Sequence, residues 1–351
     1  MKVAVITDTH FGIKNDASEF IDYQISFYTN QFFPKLLEEG IDTIFHLGDI
    51  FDRRKYTNHQ TLTRFRESFF GELINHNITM YLIVGNHDTY FKSTNDVNTP
   101  GLFLEGYSSH VHVIEEPTEL TFGGTDILFM PWINADNYHD YLNVMKKSKA
   151  DMLCGHFEIR GFEMNRGGGK NTSGLKAETF DGFNTVLSGH FHEPSTDGRI
   201  TYLGAPYEYT WADHDCDRGF YIMDCEDHEM AYIRNPDHMF YRIIYDEDFD
   251  IESFDVDQLA GKVVRIIVGE KDDNDVFEDF IESIERVGPF SFEVVDNSAY
   301  HIDGDVDEES LKNEDTLGIV TSYVDQSDIT LDKEKLNGMF RSLYVEALAV
   351  D

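Results

Sequence analysis

Five short stretches carry residues able to do chemistry, and each follows an apolar run. They are Ile6-Thr7-Asp8-Thr9-His10, Leu47-Gly48-Asp49, Leu82-Ile83-Val84-Gly85-Asn86-His87-Asp88, Leu153-Cys154-Gly155-His156 and Leu187-Ser188-Gly189-His190-Phe191-His192. Asp8, His10, Asp49, Asn86, His156, His190 and His192 offer oxygen or nitrogen donors. Mixed carboxylate, amide and imidazole donors suit Mn²⁺, Fe²⁺ or Zn²⁺; Mg²⁺ and Ca²⁺ prefer oxygen alone. Seven such donors overfill one tetrahedral site. They fit two ions about 3.5–4 Å apart bridged by a carboxylate, a centre that activates a solvent molecule and clamps a phosphoryl oxygen. The chemistry expected is hydrolysis of a phosphate ester. His87 points elsewhere if Asn86 is a ligand, so it is the candidate proton donor to the departing alkoxide. Asp88 is expected to hold the His87 ring in place. A single histidine at a strand end is ordinarily structural; the expectation rests on the set.

These groups need elements to bring them together. Residues 1–100 alternate strand and helix: strands at Lys2 to Ile6, Thr43 to Leu47 and Met80 to Val84, helical apolar spacing from Phe20 to Glu38 and from His59 to Ile74. Pro34 is expected to kink the first helix. This βαβαβ rhythm predicts a parallel sheet whose strand ends carry the site. The short runs from Val111 to Trp132, broken by Gly123-Gly124, read as antiparallel strands. A helix from Asn137 to Lys149 and strands near 152, 185, 200, 219 and 230 follow. Two sheets face to face, flanked by helices, would bury them. Residues 237–300 read as a compact αβ module, 301–315 as an acidic linker, and 316–351 as two amphipathic helices that pack on a partner or on their own chain.

The chain has 351 residues, 41% hydrophobic content and a formal charge of −38. No run nears the 18 apolar residues of a membrane span, and no signal-peptide layout opens the chain, so a cytoplasmic protein is expected. Cys154, Cys216 and Cys225 show no Cys-x-x-Cys spacing, which fits a reducing compartment. Cys154 reads as a buried strand residue rather than a ligand. The net charge argues against nucleic acid, because affinity for phosphate comes mainly from Lys and Arg. Basic residues cluster in the first half, however. Arg53, Arg54 and Lys55 follow the Asp49 stretch directly and could bind backbone phosphates; Arg166 and Lys170 are further candidates. Gly167-Gly168-Gly169-Lys170 lacks the spacing of a phosphate-cradling loop and reads as a loop beside the site.

The ordered set Asp8/His10, Gly48-Asp49 to Asp52, Gly85 to Asp88, His156 and Gly189 to His192 resembles the calcineurin-like metallophosphoesterase superfamily. Gly48-Asp49-Ile50-Phe51-Asp52, Gly189-His190-Phe191-His192 and Tyr202-Leu203-Gly204-Ala205-Pro206 resemble SbcD-type double-strand-break repair nucleases. The module after Asp237 and the ending Leu343-Tyr344-Val345-Glu346-Ala347-Leu348 are most similar to the recombination endonuclease subunits of tailed phages. The resemblance implies a two-sheet metallophosphoesterase sandwich flanked by helices over residues 1–236, with a smaller αβ capping domain and a C-terminal helical tail. It implies that Asp8, His10, Asp49 and His192 hold one Mn²⁺, and that Asp49, Asn86, His156 and His190 hold the other, with Mg, Fe or Zn as substitutes. It makes His87 the proton donor. It further implies 3′-to-5′ exonuclease action on duplex DNA, endonuclease action on single strands, a homodimer, and an SbcC-like coiled-coil ATPase held by the C-terminal helices. Some relatives place at position 52 a histidine that supports exonuclease action; Asp52 is not expected to take that role. Two rival functions share the same residues: a phosphomonoesterase or cyclic-nucleotide phosphodiesterase, which the charge of −38 favours, and an idle scaffold for an ATPase.

Overall fold

The computed structural model describes residues 1–164, 170–269 and 274–296, together with Lys333. Arg166, the glycine run at 167–169, the acidic linker and the C-terminal helical patterns lie outside the described residues. The first sheet begins with β1 (Lys2–Ile6), β2 (Thr43–His46), β3 (Thr79–Ile83) and β4 (Val111–Ile114), all parallel. The second takes β5 (Thr118–Phe122), β6 (Thr125–Met130), β7 (Met152–His156), β8 (Thr185–Gly189), β9 (Ser195–Thr196) and β10 (Ile200–Tyr202) in the order β5-β6-β7-β8-β10-β9. The chain then returns through β11 (Gly219–Asp224) and β12 (Met230–Arg234), giving the first sheet the order β12-β11-β1-β2-β3-β4.

Strand alternation explains why the sheets pack face to face. Val3 and Val5 of β1 point at Ile127, Phe129, Cys154 and Leu187 of the second sheet. Ala4 and Ile6 point the other way, onto Phe20, Phe27 and Phe69 of the outer helices. The second sheet likewise turns Leu128, Leu153 and Val186 toward Tyr141 and Met145 of its own outer helix, Tyr138–Lys147. Cys154 is a fully buried member of the inter-sheet core, as its strand position suggested.

Three expectations gain definition. The irregularity expected at Pro34 includes the turn just before it. Ser18–Phe27 continues through a π turn, Tyr28–Phe32, into Phe33–Glu39, with Pro34 in the first turn of that last segment. Proline lacks the N–H that would continue the ladder, and the wider turn before it makes room for the ring. Second, as a correction, Val111–Ile114 pairs parallel to β3; within residues 111–132 the antiparallel pair is β5 with β6, a hairpin through Gly123-Gly124. A short apolar run carries no sign of its partner's direction. Third, the αβ module holds three parallel strands: β13 (Phe240–Tyr245), β14 (Val263–Val268) and β15 (Ser291–Asp296). The helix Asn274–Val287 covers one face through Phe277, Phe280 and Ile284. Phe240 and Val263, on the other face, join the core beneath the first sheet. Buried Glu208 fastens this junction by accepting hydrogen bonds from the Met239 and Phe240 amides at 2.7 and 2.9 Å. No helix among the described residues is long and apolar enough to cross a membrane.

Candidate metal centre

All seven candidate ligands leave the carboxyl ends of parallel strands, the rim where open α/β sheets carry their chemistry. Asp8 and His10 follow β1, Asp49 follows β2, Asn86 follows β3, His156 ends β7, and His190 and His192 follow β8. The backbone is bent hard to aim them. Asp8 (φ 50), His10 (φ 43), Asp49 (φ 54) and His190 (φ 88) all sit in the left-handed region. For a residue with a Cβ this costs about 1–3 kcal/mol and persists only where the surroundings hold it. Here the turns after β1 and β2 brace each other. The Asp8 amide donates to the Gly48 carbonyl at 3.0 Å, and the His10 amide to the Asp49 carbonyl at 3.1 Å. Gly48 (φ 98) has no substitute, since a Cβ there would lie 2.7 Å from His156 Nδ1.

The side chains converge as two clusters. In one, Asp8 Oδ1 lies 3.8 Å from both His10 Nε2 and His192 Nε2, which are 3.2 Å apart. In the other, His156 Nε2 lies 3.3 Å from Asp49 Oδ2 and 2.9 Å from the Asn86 side-chain oxygen, and His190 completes the group. Asp49 Oδ2 is also 3.9 Å from His10 Nε2, so this one carboxylate faces both clusters.

The donor set fits cations. His156 Nδ1 donates to the Leu47 carbonyl at 2.7 Å, which turns Nε2 inward, toward the other donors. With its oxygen inward, Asn86 meets only acceptors; its nitrogen turned inward would stand 2.8 Å from His190 Nδ1 and 3.3 Å from Asp49 Oδ2. Acceptors crowded this closely call for positive charge among them, supplied by protons or by a cation. Charges in the site show the same need. Burial opposes ionisation of Asp8 and Asp49, yet the surrounding histidines hold both below the ordinary carboxylate range. Burial alone would lower His10 and His156. The carboxylates win: Asp52 and Asp8 hold His10 well above its ordinary value, and Asp49 pushes His156 up to about 9. Protons on histidine thus supply the positive charge that a bound cation would replace.

His87 lines the open pocket with Asp49, Met164, His190 and His192. Its amide donates to Asp49 Oδ1 at 2.7 Å. Its ring is oriented by the Asp52 carbonyl, which accepts from Nδ1 at 2.6 Å. Asp88 does not do this, contrary to expectation. Both its oxygens are taken by backbone amides: Asp49 and Gly85 at 2.9 Å, Ile50 at 3.1 Å and Phe51 at 3.2 Å. It is a staple between the turns after β2 and β3.

Three supporting residues escaped the sequence reading. Asp52 serves twice, through its carbonyl to His87 and through its carboxylate, 3.5 Å from His10 Nδ1. Its spacing from Asp49 was visible; its role was not. Tyr209 donates from its hydroxyl to the Asp8 carbonyl and sets its ring edge-on to His10 and His192. Arg218, buried, donates to the His192 carbonyl and pairs with Asp213 at 2.7 Å. No local signal marks their link to the site, because Asp8 lies 201 residues from Tyr209 and His192 lies 26 from Arg218.

The basic candidates divide. Arg53 pairs with Asp16 at 2.9 Å and donates to Asn15 at 2.7 Å, so it braces a loop. Arg54 is half-buried beside Asn86 and Thr89. Lys55 and Lys170 are exposed.

Comparison with known proteins agrees with this geometry. The calcineurin-like phosphoesterase model matches residues 1–194. The chain is similar to Exonuclease subunit 1 of Enterobacteria phage T4, at 32% identity over 349 residues covering 99% of both proteins. Among solved structures it is similar to a dimetal phosphatase from Danio rerio, at 10% identity and TM-score 0.37, covering 67% of this chain and 95% of that one. It is also similar to a hypothetical protein from Thermus thermophilus, at 16% identity and TM-score 0.37, covering 67% of this chain and all of that one. Those two scores carry no weight beside the near full-length relative and the family match over more than half the chain, by which this protein belongs to the calcineurin-like phosphoesterase family.

Proposed function

We propose that this chain is the nuclease subunit of a recombination and repair complex, hydrolysing DNA phosphodiesters with two divalent cations, Mn²⁺ by preference. The observation that carries this is a single carboxylate, Asp49, facing two ligand clusters, in a chain similar along its whole length to a protein named an exonuclease subunit. Asp8, His10 and His192 would hold one cation; Asn86, His156 and His190 would hold the other; Asp49 would serve both. Bound there, the cations would supply an activated solvent nucleophile and neutralise charge on the phosphoryl oxygens.

The remaining work falls to this chain's own groups. With Nδ1 tied to the Asp52 carbonyl, His87 presents Nε2 to the pocket and can donate a proton to the departing 3′ oxygen. Residues 237–300 would cap the substrate. Residues 301–315 would link to a helical tail at 316–351 that docks on an SbcC-like ATPase. The nuclease would work as a homodimer in the host cytoplasm, as a 3′-to-5′ exonuclease on duplex DNA and an endonuclease on single strands.

The test offers Mn²⁺-loaded protein labelled duplex DNA, labelled single strands and p-nitrophenyl phosphate esters. DNA cleavage dependent on Asp49 is expected. Turnover of the small esters alone would sink the nuclease reading and favour the phosphomonoesterase that the charge of −38 suits.

A further inference from the structure

Arg54 stands beside Asn86 and Thr89, half-buried, five residues beyond Asp49. Its guanidinium meets Thr89 Oγ1 at 3.4 Å, near the limit of a hydrogen bond. Asp49 and Asp88 act on it by charge alone, and no carboxylate among the described residues pairs with it. Arg53, by contrast, is committed to Asp16. A guanidinium held beside a cation-binding pocket with donors to spare is suited to an oxyanion.

The Asn86 amide stands between Arg54 on one side and His156 and His190 on the other, and its two orientations do opposite things. With the oxygen inward, toward His156 Nε2 at 2.9 Å, its nitrogen faces Arg54, donor against donor. With the nitrogen inward, toward His190 Nδ1 at 2.8 Å, its oxygen accepts from Arg54 at 3.2 Å. Without a cation the second arrangement satisfies more groups. With a cation the oxygen must face inward, because an amide nitrogen has no lone pair to give.

We propose that the Asn86 amide links cation binding to substrate binding: turning its oxygen onto a cation releases Arg54 to take a phosphate oxygen. Arg54 is then a substrate-binding residue available only in the loaded protein, and cations bind before the ester. This rests on the phosphate-ester reading of the site, but not on the ester being DNA.

The test measures binding of inorganic phosphate calorimetrically to the full chain, with and without Mn²⁺, for the native protein and for Arg54→Gln and Asn86→Asp. In the loaded protein Arg54→Gln should weaken phosphate about tenfold, the weight of one charge-assisted hydrogen bond. It should leave the Mn²⁺ content and the melting temperature unchanged, and change nothing without Mn²⁺. Asn86→Asp keeps an inward oxygen for the cation but offers Arg54 a permanent outward acceptor. It should therefore weaken phosphate similarly, with little added by Arg54→Gln in the double variant. Equal losses with and without Mn²⁺, no loss at all, or full additivity would overturn the link, as would a loaded native protein that fails to bind phosphate. A non-cleavable phosphorothioate oligonucleotide, run in parallel, separates the two claims. Arg54-dependent phosphate binding without oligonucleotide binding leaves the link standing and removes the nuclease reading.

Discussion

At the scale of single residues, two histidines of the site, His87 and His156, have different fates. His87 touches the site through Nε2 and is oriented by a backbone carbonyl, so truncating it removes no candidate ligand. His87→Ala should keep its full complement of cations and lose roughly 10²–10⁴ in turnover, the usual weight of a general acid. Elemental analysis beside single-turnover kinetics decides; a matching fall in cation content would refute the proton-donor assignment. His156 instead carries a proton up to about 9 in the cation-free protein, because Asp49 outweighs burial. A cation must displace that proton, so protonation and cation binding compete. Cation affinity should therefore rise as pH increases through neutrality toward about 9 and flatten above it. Loading at pH 7 should release protons, detectable as calorimetric heats that scale with buffer ionisation enthalpy. Affinity independent of pH across that range would contradict the assignment.

At the scale of elements, what matters is how loops from different strands are locked together. Asp88 takes four backbone N–H groups from the turns after β2 and β3. Asp88→Ala would leave those buried donors unpaired, at about 1–3 kcal/mol each before relaxation. The expected outcome is a large drop in melting temperature together with loss of cations, where His87→Ala lowers neither. Calorimetry on the two variants side by side separates a staple from a proton donor. Arg218 does a similar job between the His192 turn and the Tyr209–Asp213 turn, through a buried ion pair. Arg218→Met strands Asp213 in the interior, and about 3–5 kcal/mol of destabilisation is expected by denaturant titration.

At the scale of the molecule, the dominant quantity is a charge of −38 on 351 residues. Self-repulsion of that size favours expansion and is screened by salt, with a Debye length of about 10 Å at 0.1 M. Thermal stability should rise with added KCl at constant pH; a flat or falling melting temperature would show that the acidic groups are already compensated. The C-terminal segment gives a second outcome to check. Deleting residues 312–351 should leave the cation-loaded core and its melting unchanged while abolishing capture of an SbcC-like ATPase, and retained capture would move the docking surface elsewhere.

A good deal was written in local sequence. Strand ends marked by Asp8, Asp49, Asn86, His156 and His190 were legible because an apolar run that stops at a polar donor is a short-range pattern. The βαβ rhythm of residues 1–100 placed Asp8, Asp49 and Asn86 on one rim, since a helical crossover returns the chain so that successive strands run parallel; His156 and His190 were brought to that rim by the packing of the second sheet. Tertiary packing settled the direction of β4, the third strand of the 240–296 module and the roles of Asp52, Asp88, Tyr209 and Arg218. Each of those depends on a partner brought close by packing, often more than 20 residues away. Spacing records what a residue is and where its strand ends, but not which distant atom its hydrogen bond will find.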